Sequence, residues 1–352
     1  MRIDDLETPV PVIDLDCVER NLKAMQDYCD RHGLKLRPHI KTHKLPQLAR
    51  RQVELGAVGI TCQKLGEAEV MADAGLDDIL ISYPLIGPAK ALRLAALARR
   101  VRMSVAVDST MALDTAAAAA SASGAEIGIL VEFESGANRV GVGTVSEALD
   151  LARRTASAPG LRFEGLMTYP LGAAAAGFIA EAREAFAAAG IEIRTVSGGG
   201  TPTAWSAHLT PGVTELRVGT YIYHDRATVA AGAAALDDCA LHVIATVVSR
   251  PTPHRAVIDA GSKSLSSDLV APEAGQGYGL LLDYPDAVIT RLNEEHGTVD
   301  LSGSVRKPAL GERLRILPNH VCVVSNLHDA VVMTRDGRVV ESVPVAARGR
   351  TT

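Results

Sequence analysis

Aromatic side chains are scarce in this chain, with 7 Tyr, 4 Phe and 1 Trp among 352 residues. So thin a set argues against the stacking platforms that grip unpaired nucleic-acid bases. Cysteine is also rare. Cys17, Cys29, Cys62, Cys239 and Cys322 are odd in number, scattered, and form no CxxC pair. That pattern argues against a disulfide framework and makes a reducing cytoplasm the expected location. There is no basic excess: 36 Lys and Arg face 41 Asp and Glu, a net charge of −5. Charge alone therefore draws neither nucleic acid nor an anionic membrane. Long apolar runs are missing as well, whereas a membrane span needs about 20 residues. The longest candidate, 115–128, is broken by serines and Glu126 and reads as an Ala-rich helix. The start, MRIDDLETPV, opens on charges and lacks a signal-peptide apolar core.

What remains is ordinary globular material, 47% hydrophobic and 22% charged. A core short of aromatics must be built from Ala, Val, Leu and Ile, which suits α/β layers. The length allows two or three domains, or one barrel with a further module. Short apolar runs, several of them β-branched, recur at 34–40, 58–62, 79–82, 103–107, 127–133, 163–168, 193–196 and 215–218. Amphipathic stretches such as 44–55, 64–74 and 178–189 lie between them. Alternating strand and helix implies a parallel sheet, and eight such units imply a (β/α)₈ TIM-type barrel. An open doubly wound sheet is the competing architecture.

After Asp225 the texture changes. Strands are expected at 239–249, 255–259, 314–317, 321–324 and 330–334, with an Asp-Gly hairpin in TRDGRVVE and no strong helix. The expected organisation is a barrel over 15–230 and a mostly antiparallel C-terminal β-domain over 231–352. Residues 1–14, containing PVPVIDLD, are expected to join the β-domain.

Barrel chemistry sits where strands end and the following loops begin. The first strand ends in RPHIKTHK, placing Lys41 at the mouth among His39, His43 and Lys44. Partial desolvation and cationic neighbours favour a free amine, the form that makes a Schiff base. Lys44 and Lys64 are the next candidates. The seventh strand ends in Ser197-Gly198-Gly199-Gly200-Thr201, where backbone N–H groups can converge on an anion. The turn Gly219-Thr220-Tyr221 after the eighth strand would complete a phosphate cradle. A Schiff-base lysine and a phosphate cradle in one mouth point to pyridoxal 5'-phosphate. Gln63, Tyr169 and Arg139 also fall at strand ends; Arg139 reaches the cofactor ring or pairs with Glu132 or Glu134.

Beyond Asp225, Pro318-Asn319-His320-Val321-Cys322 sets imidazole and thiol two residues apart. On a strand they would share one face and form half of an open metal site. A thiolate favours Zn²⁺ over Mn²⁺ or Mg²⁺. His296 and His328 either join that neighbourhood or are plain surface residues, and Trp205 is assigned to packing.

RPHIKTHK, QKLGEAE, GLMTYP, VSGGGTPT, GTYIYHD, IDAGSKSLSSD, EEHG and PNHVC occur in that order. Together they resemble the metal-dependent D-threonine aldolase and D-serine dehydratase family, which shares the alanine-racemase-like pyridoxal phosphate barrel. The resemblance spans nearly the whole chain. It implies that Lys41 bonds the cofactor, that Gln63, Tyr169, Gly199, Gly200, Thr201 and Tyr221 contact it, and that His320 and Cys322 bind the metal. It further implies a homodimer acting on small D-amino acids. The expected activity is cleavage of a D-β-hydroxy-α-amino acid to glycine and an aldehyde, with Lys41 and Tyr169 as catalytic candidates. Dehydration to a 2-oxo acid and ammonia is the alternative, and a non-catalytic cofactor carrier is the rival from another class. A carrier lacks the second domain, so the residues after Asp225 count against it.

Overall fold

The computed structural model describes residues 2–272 and 275–352. Two compact units emerge. One comprises Ala24–Lys41, Leu45–Gly219 and Arg350–Thr352; the other comprises Met1–Lys23, Thr42–Lys44 and Thr220–Gly349.

In the first unit eight parallel strands run in sheet order: Lys35–Leu36, Glu215–Arg217, Thr195–Gly199, Leu161–Tyr169, Ile127–Glu134, Arg102–Val107, Asp78–Ile81 and Ile60–Cys62. The first and last of these join through Val58 N–H to Leu36 O (2.9 Å), Thr61 N–H to Pro38 O (2.8 Å) and a parallel bridge between His39 and Thr61. The sheet thus closes as the eight apolar runs imply, and the open-sheet alternative is set aside. Strands buried along nearly their whole length, such as Ile127–Glu134, are apolar because both faces are covered. Helices fill the gaps, and their starts are written locally. Ser109 Oγ accepts from Ala112 N–H at the head of Thr110–Ser123, and Thr144 and Glu147 form a reciprocal capping box at the head of Val145–Ser157.

Inside the barrel, Leu80, Ala106, Leu130 and Met167 form one buried apolar layer. Alternate residues of a strand face the same way, so the layers on either side of this one are set by parity. Below it lies a charged floor. Arg37 pairs with Asp78 (2.5 Å) and Glu215 (2.9 Å), while Glu164 pairs with Arg162 (2.6 Å) and Arg102 (3.4 Å) and accepts from Ser104 Oγ (2.9 Å). Above it lies the rim, where Glu132 and Arg217 sit.

The second unit is a nine-stranded sheet, antiparallel except where Val10–Asp14 runs parallel to Ala330–Arg335. Val10–Asp14 lies between Leu241–Thr252 and Ala330–Arg335, so PVPVIDLD does pair with the C-terminal strands. Leu6, Val12, Ile244 and Val332 bury one another there. Asp336 and Gly337 both adopt positive φ (50° and 68°) and turn Ala330–Arg335 into Arg338–Pro344, the hairpin expected of Asp-Gly.

One expectation fails in this unit. Residues 321–324 are not a strand but lie in a helix, Val321–Leu327. His320 is its N-cap residue, and the Asp225 carboxylate accepts from Val321 N–H (3.2 Å), a capping contact from far along the chain. The short strands Leu280–Leu281, Val288–Leu292 and Gly297–Asp300 were not anticipated. Their polar, broken texture hides the period-two signal.

Candidate active site

Lys41 sits in a single 3₁₀ turn, Ile40–Thr42, just past the first barrel strand. Its backbone N–H donates to His39 Nδ1 (3.4 Å). An N–H can only donate, so Nδ1 is the acceptor and Nε2 carries the proton. That proton faces Gln63 Oε1 (3.0 Å) and Ser82 Oγ (3.2 Å), while Gln63 Nε2 donates to Ser82 O (3.3 Å). Gln63 N–H in turn donates to Glu67 Oε2 (2.7 Å), inside the helix Leu65–Asp73. The ends of the first three strands are thereby locked together, and the lysine turn is carried on that lock.

Tyr169 ends the sixth strand, 40% exposed, with the Arg139 guanidinium 5.1 Å above its ring. Glu134 builds the loop that presents Arg139. Its carboxylate accepts from the backbone N–H groups of Gly136, Asn138 (3.0 Å) and Arg139 (3.2 Å), which hold it below the usual carboxylate range.

The glycine loop divides into two parts. A side chain on Gly198 would run into Leu171 (2.3 Å), and one on Gly199 into the Arg217 carbonyl (2.6 Å), so both satisfy barrel packing. Gly200 differs: φ is +122°, and an added Cβ would stand 3.3 Å from the Tyr169 ring. Thr201 follows, opening the 3₁₀ helix Thr201–Leu209 with Pro202 behind it. Its hydroxyl is buried and has no hydrogen-bond partner among the described residues. A bare, inward-facing hydroxyl at a helix start beside a glycine with open backbone fits a phosphate group. Gly219 follows the eighth strand, at the end of the segment Leu45–Gly219. Trp205 packs edge-on against Tyr28, at 5.3 Å.

Two residues of the rim were not singled out for themselves in the sequence. Glu132 is 2% exposed, and burial pushes its carboxyl up to about 7 against the pull of Arg217 and Arg139. Its Oε2 has no hydrogen-bond partner among the described residues. Arg217 donates to Ser197 Oγ (2.8 Å) and Thr168 O (3.0 Å), and Ser197 Oγ donates to Glu215 Oε1 (2.6 Å). Strand parity could have flagged both as inward-facing charges.

In the second unit, His320 and Cys322 come together, though not on one strand face. His320 caps the helix Val321–Leu327 and Cys322 lies in its first turn, within hydrogen-bonding reach of the imidazole. That bond, with Asp268 adding to it, pushes His320 up to about 9. His320 Nδ1 meets Asp268 Oδ2 at 2.7 Å. The Cys322 sulfur lies 3.1 Å from Thr42 Oγ1 and 3.7 Å from Thr220 Oγ1. The other four cysteines are buried, whereas Cys322 is partly exposed. Burial raises Cys17 to about 11 and Cys29 to about 12, so those two remain thiols. The Tyr223 hydroxyl, close enough to Cys322 to feel its charge, is buried with no hydrogen-bond partner among the described residues.

No group of three or more His, Cys, Asp or Glu residues poised around one ion occurs among the described residues. An imidazole, a thiol and an unsatisfied hydroxyl nearby suit an open site that leaves coordination positions to solvent or substrate. Tyr221 is fully buried in the turn Thr220–Ile222. His328 Nε2 meets Ser264 O (3.1 Å), and His296 sits in the tight turn joining Val288–Leu292 to Gly297–Asp300, so neither joins His320 and Cys322. No helix among the described residues is long and apolar enough to cross a membrane.

Residues 13–227 match the family model for the N-terminal domain of alanine racemase, and residues 240–334 match the serine dehydratase domain. The D-threonine aldolase of Arthrobacter sp. is 38% identical, the match covering 98% of this chain and 93% of that protein. The crystal structure of D-threonine aldolase from Filomicrobium marinum is 37% identical with a TM-score of 0.89, covering 100% of this chain and 98% of that one. A cysteine-to-alanine variant of D-threo-3-hydroxyaspartate dehydratase, solved in the metal-free form, is 34% identical with a TM-score of 0.86, covering 98% of both chains.

Proposed function

Because this chain belongs to the D-threonine aldolase and D-serine dehydratase family of pyridoxal-phosphate-dependent lyases, we propose that it cleaves D-β-hydroxy-α-amino acids to glycine and an aldehyde. The observation that carries this is the full-length likeness to D-threonine aldolases in a chain whose barrel mouth holds Lys41 on a hydrogen-bonded lock.

Lys41 is the lysine that bonds the cofactor, and Thr201 with the open backbone of Gly200 holds the phosphate. Gln63, Arg139, Gly198, Gly199, Gly219 and Tyr221 complete the proposed cofactor surroundings. Bound pyridoxal phosphate supplies an electron sink for the pair left on the substrate's α-carbon. His320 and Cys322 hold a divalent cation, with Zn²⁺ favoured by the thiolate and Mn²⁺ or Mg²⁺ as harder alternatives, which supplies a Lewis acid to the β-hydroxyl. Tyr169, in its phenolate form, would receive the β-hydroxyl proton as the Cα–Cβ bond breaks. The α-carbon then takes up a proton and leaves as glycine. We further propose that the protein works as a homodimer in the cytoplasm.

A second reading draws on the His-x-Cys pair and the likeness to a hydroxyaspartate dehydratase. There Lys41 removes the α-proton, hydroxide leaves the β-carbon, and a 2-oxo acid and ammonia result. Incubation with D-threonine, D-serine and D-3-hydroxyaspartate, with and without Zn²⁺ or Mn²⁺, separates the two. Glycine with an aldehyde supports cleavage; a 2-oxo acid with ammonia replaces it by dehydration.

A further inference from the structure

The geometry points to Asp268 as a positioning residue that fixes the His320 ring for metal binding, an inference resting on the reading that His320 and Cys322 hold the divalent ion. Asp268 Oδ2 lies 2.7 Å from His320 Nδ1. A carboxylate can only accept, so Nδ1 carries a proton, and Nε2 is the nitrogen left to give its lone pair to a metal that displaces any proton there.

Asp268 is itself held by unusual means. Asn319, 1% exposed and adjacent to His320, donates from Nδ2 to Asp268 O (2.9 Å) and to Gly277 O (2.9 Å). Arg226 holds the other end of that amide, at 3.3 Å from Asn319 Oδ1. Ser266 accepts from Asp268 N–H (3.1 Å) while its own backbone sits at φ +68°, a conformation uncommon for serine. The residue beside the imidazole is thus tied to the backbone of the residue that orients it.

Stability does not account for this construction. The His320 and Asp268 side chains are 43% and 45% exposed, and exposed ion pairs contribute about 0–1 kcal/mol at most. A buried amide clamp and a left-handed serine to secure so weak a pair make sense when ring direction matters.

The test uses the full-length, cofactor-loaded protein stripped of metal by chelation and titrated with Co²⁺. Thiolate-to-cobalt absorption reports Cys322 in the site, and the ligand-field bands report coordination. Asp268→Ala should weaken Co²⁺ affinity about 10–100-fold, as loss of an outer-shell partner does. The spectrum at saturation should match the wild type, and circular dichroism should be unchanged. Asp268→Asn, whose amide oxygen can still accept from Nδ1, should fall between the two. Equal affinity in Asp268→Ala and wild type would overturn the inference. So would an altered ligand field at saturation, which would make Asp268 a direct ligand. His320→Ala and Cys322→Ala are the separate controls. If both bind Co²⁺ as the wild type does, the metal reading itself fails and this inference falls with it.

Discussion

The barrel carries charge at both ends of its strands, and the two ends are built differently. At the floor, Arg37 meets Asp78 and Glu215, and Glu164 meets Arg102 and Arg162. At the rim, Glu132 is almost fully buried with one carboxylate oxygen bare, and the Thr201 hydroxyl is bare as well. A buried polar group without a partner costs about 1–3 kcal/mol, so a fold keeps one where something else satisfies it. The floor is finished by the chain alone. The rim is built with partners left over, and that end also carries Lys41 and the glycine loop. The contrast separates charges that hold the barrel together from charges that await a ligand.

The largest expected effect lies at the rim. Lys41→Ala should abolish turnover and the borohydride-sensitive visible absorbance of bound cofactor, while thermal unfolding changes little, because Lys41 is partly exposed rather than packed. A yellow, active variant would move the anchor to Lys44 or Lys64. The floor should respond in the opposite way. Arg37→Met removes the shared partner of two acids, so it should cost about 3–5 kcal/mol of stability in denaturant unfolding. The cofactor dissociation constant of the folded fraction should stay unchanged; a large change there would erase the distinction between the two ends.

The third effect is pH-dependent. Glu132 titrates near 4.5 in an unfolded chain and at about 7 in the fold. A raised carboxyl stabilises fully below its unfolded value and loses that contribution as pH rises through its folded value. Between those two values the unfolded chain has released this proton and the fold still holds it, so stability falls by about 1.4 kcal/mol for each pH step of one. Apo protein should therefore lose about 3 kcal/mol from this group by the time the pH stands somewhat above 7. Glu132→Gln should flatten that slope in unfolding curves recorded from about pH 4 to 9, the range that brackets both values; an unaltered slope would show the carboxyl to be ordinary. The smallest effect is at the cradle. Gly200→Val should raise the cofactor dissociation constant about tenfold, or about 1.4 kcal/mol, since valine opposes φ +122° and crowds the Tyr169 ring. Unchanged affinity would place the phosphate elsewhere.

Legibility followed distance along the chain. The eight barrel strands could be read because short, largely apolar stretches alternate with helical stretches of a different period, although Lys35–Leu36 and Glu215–Arg217 also carry charge. The strands of 280–300 could not, since Val288–Leu292 is polar along its exposed face and no helical stretch separates it from its neighbours. His320 and Cys322 stood out as residue types, but their geometry was misjudged. Two residues apart on a strand and two apart at a helix start both bring side chains together, and local sequence does not separate the cases. One contact that favours the helix comes from Asp225, which receives Val321 N–H and lies far upstream. Thr42 beside Cys322 and Asp268 beside His320 escaped notice for the same reason: no local pattern links residues so far apart.

Local sequence therefore determined the alternation of strand and helix, the barrel it implies, and which residues stand at strand ends, because backbone period and side-chain parity are short-range properties. Tertiary structure alone decided which buried groups are satisfied. Arg37, just past the first barrel strand, and Glu132, on the fifth, are both inward-facing charges, yet one is fully paired and the other keeps a bare oxygen. Desolvation and hydrogen-bond partnership depend on what the rest of the chain brings alongside, and no stretch of sequence contains its own surroundings.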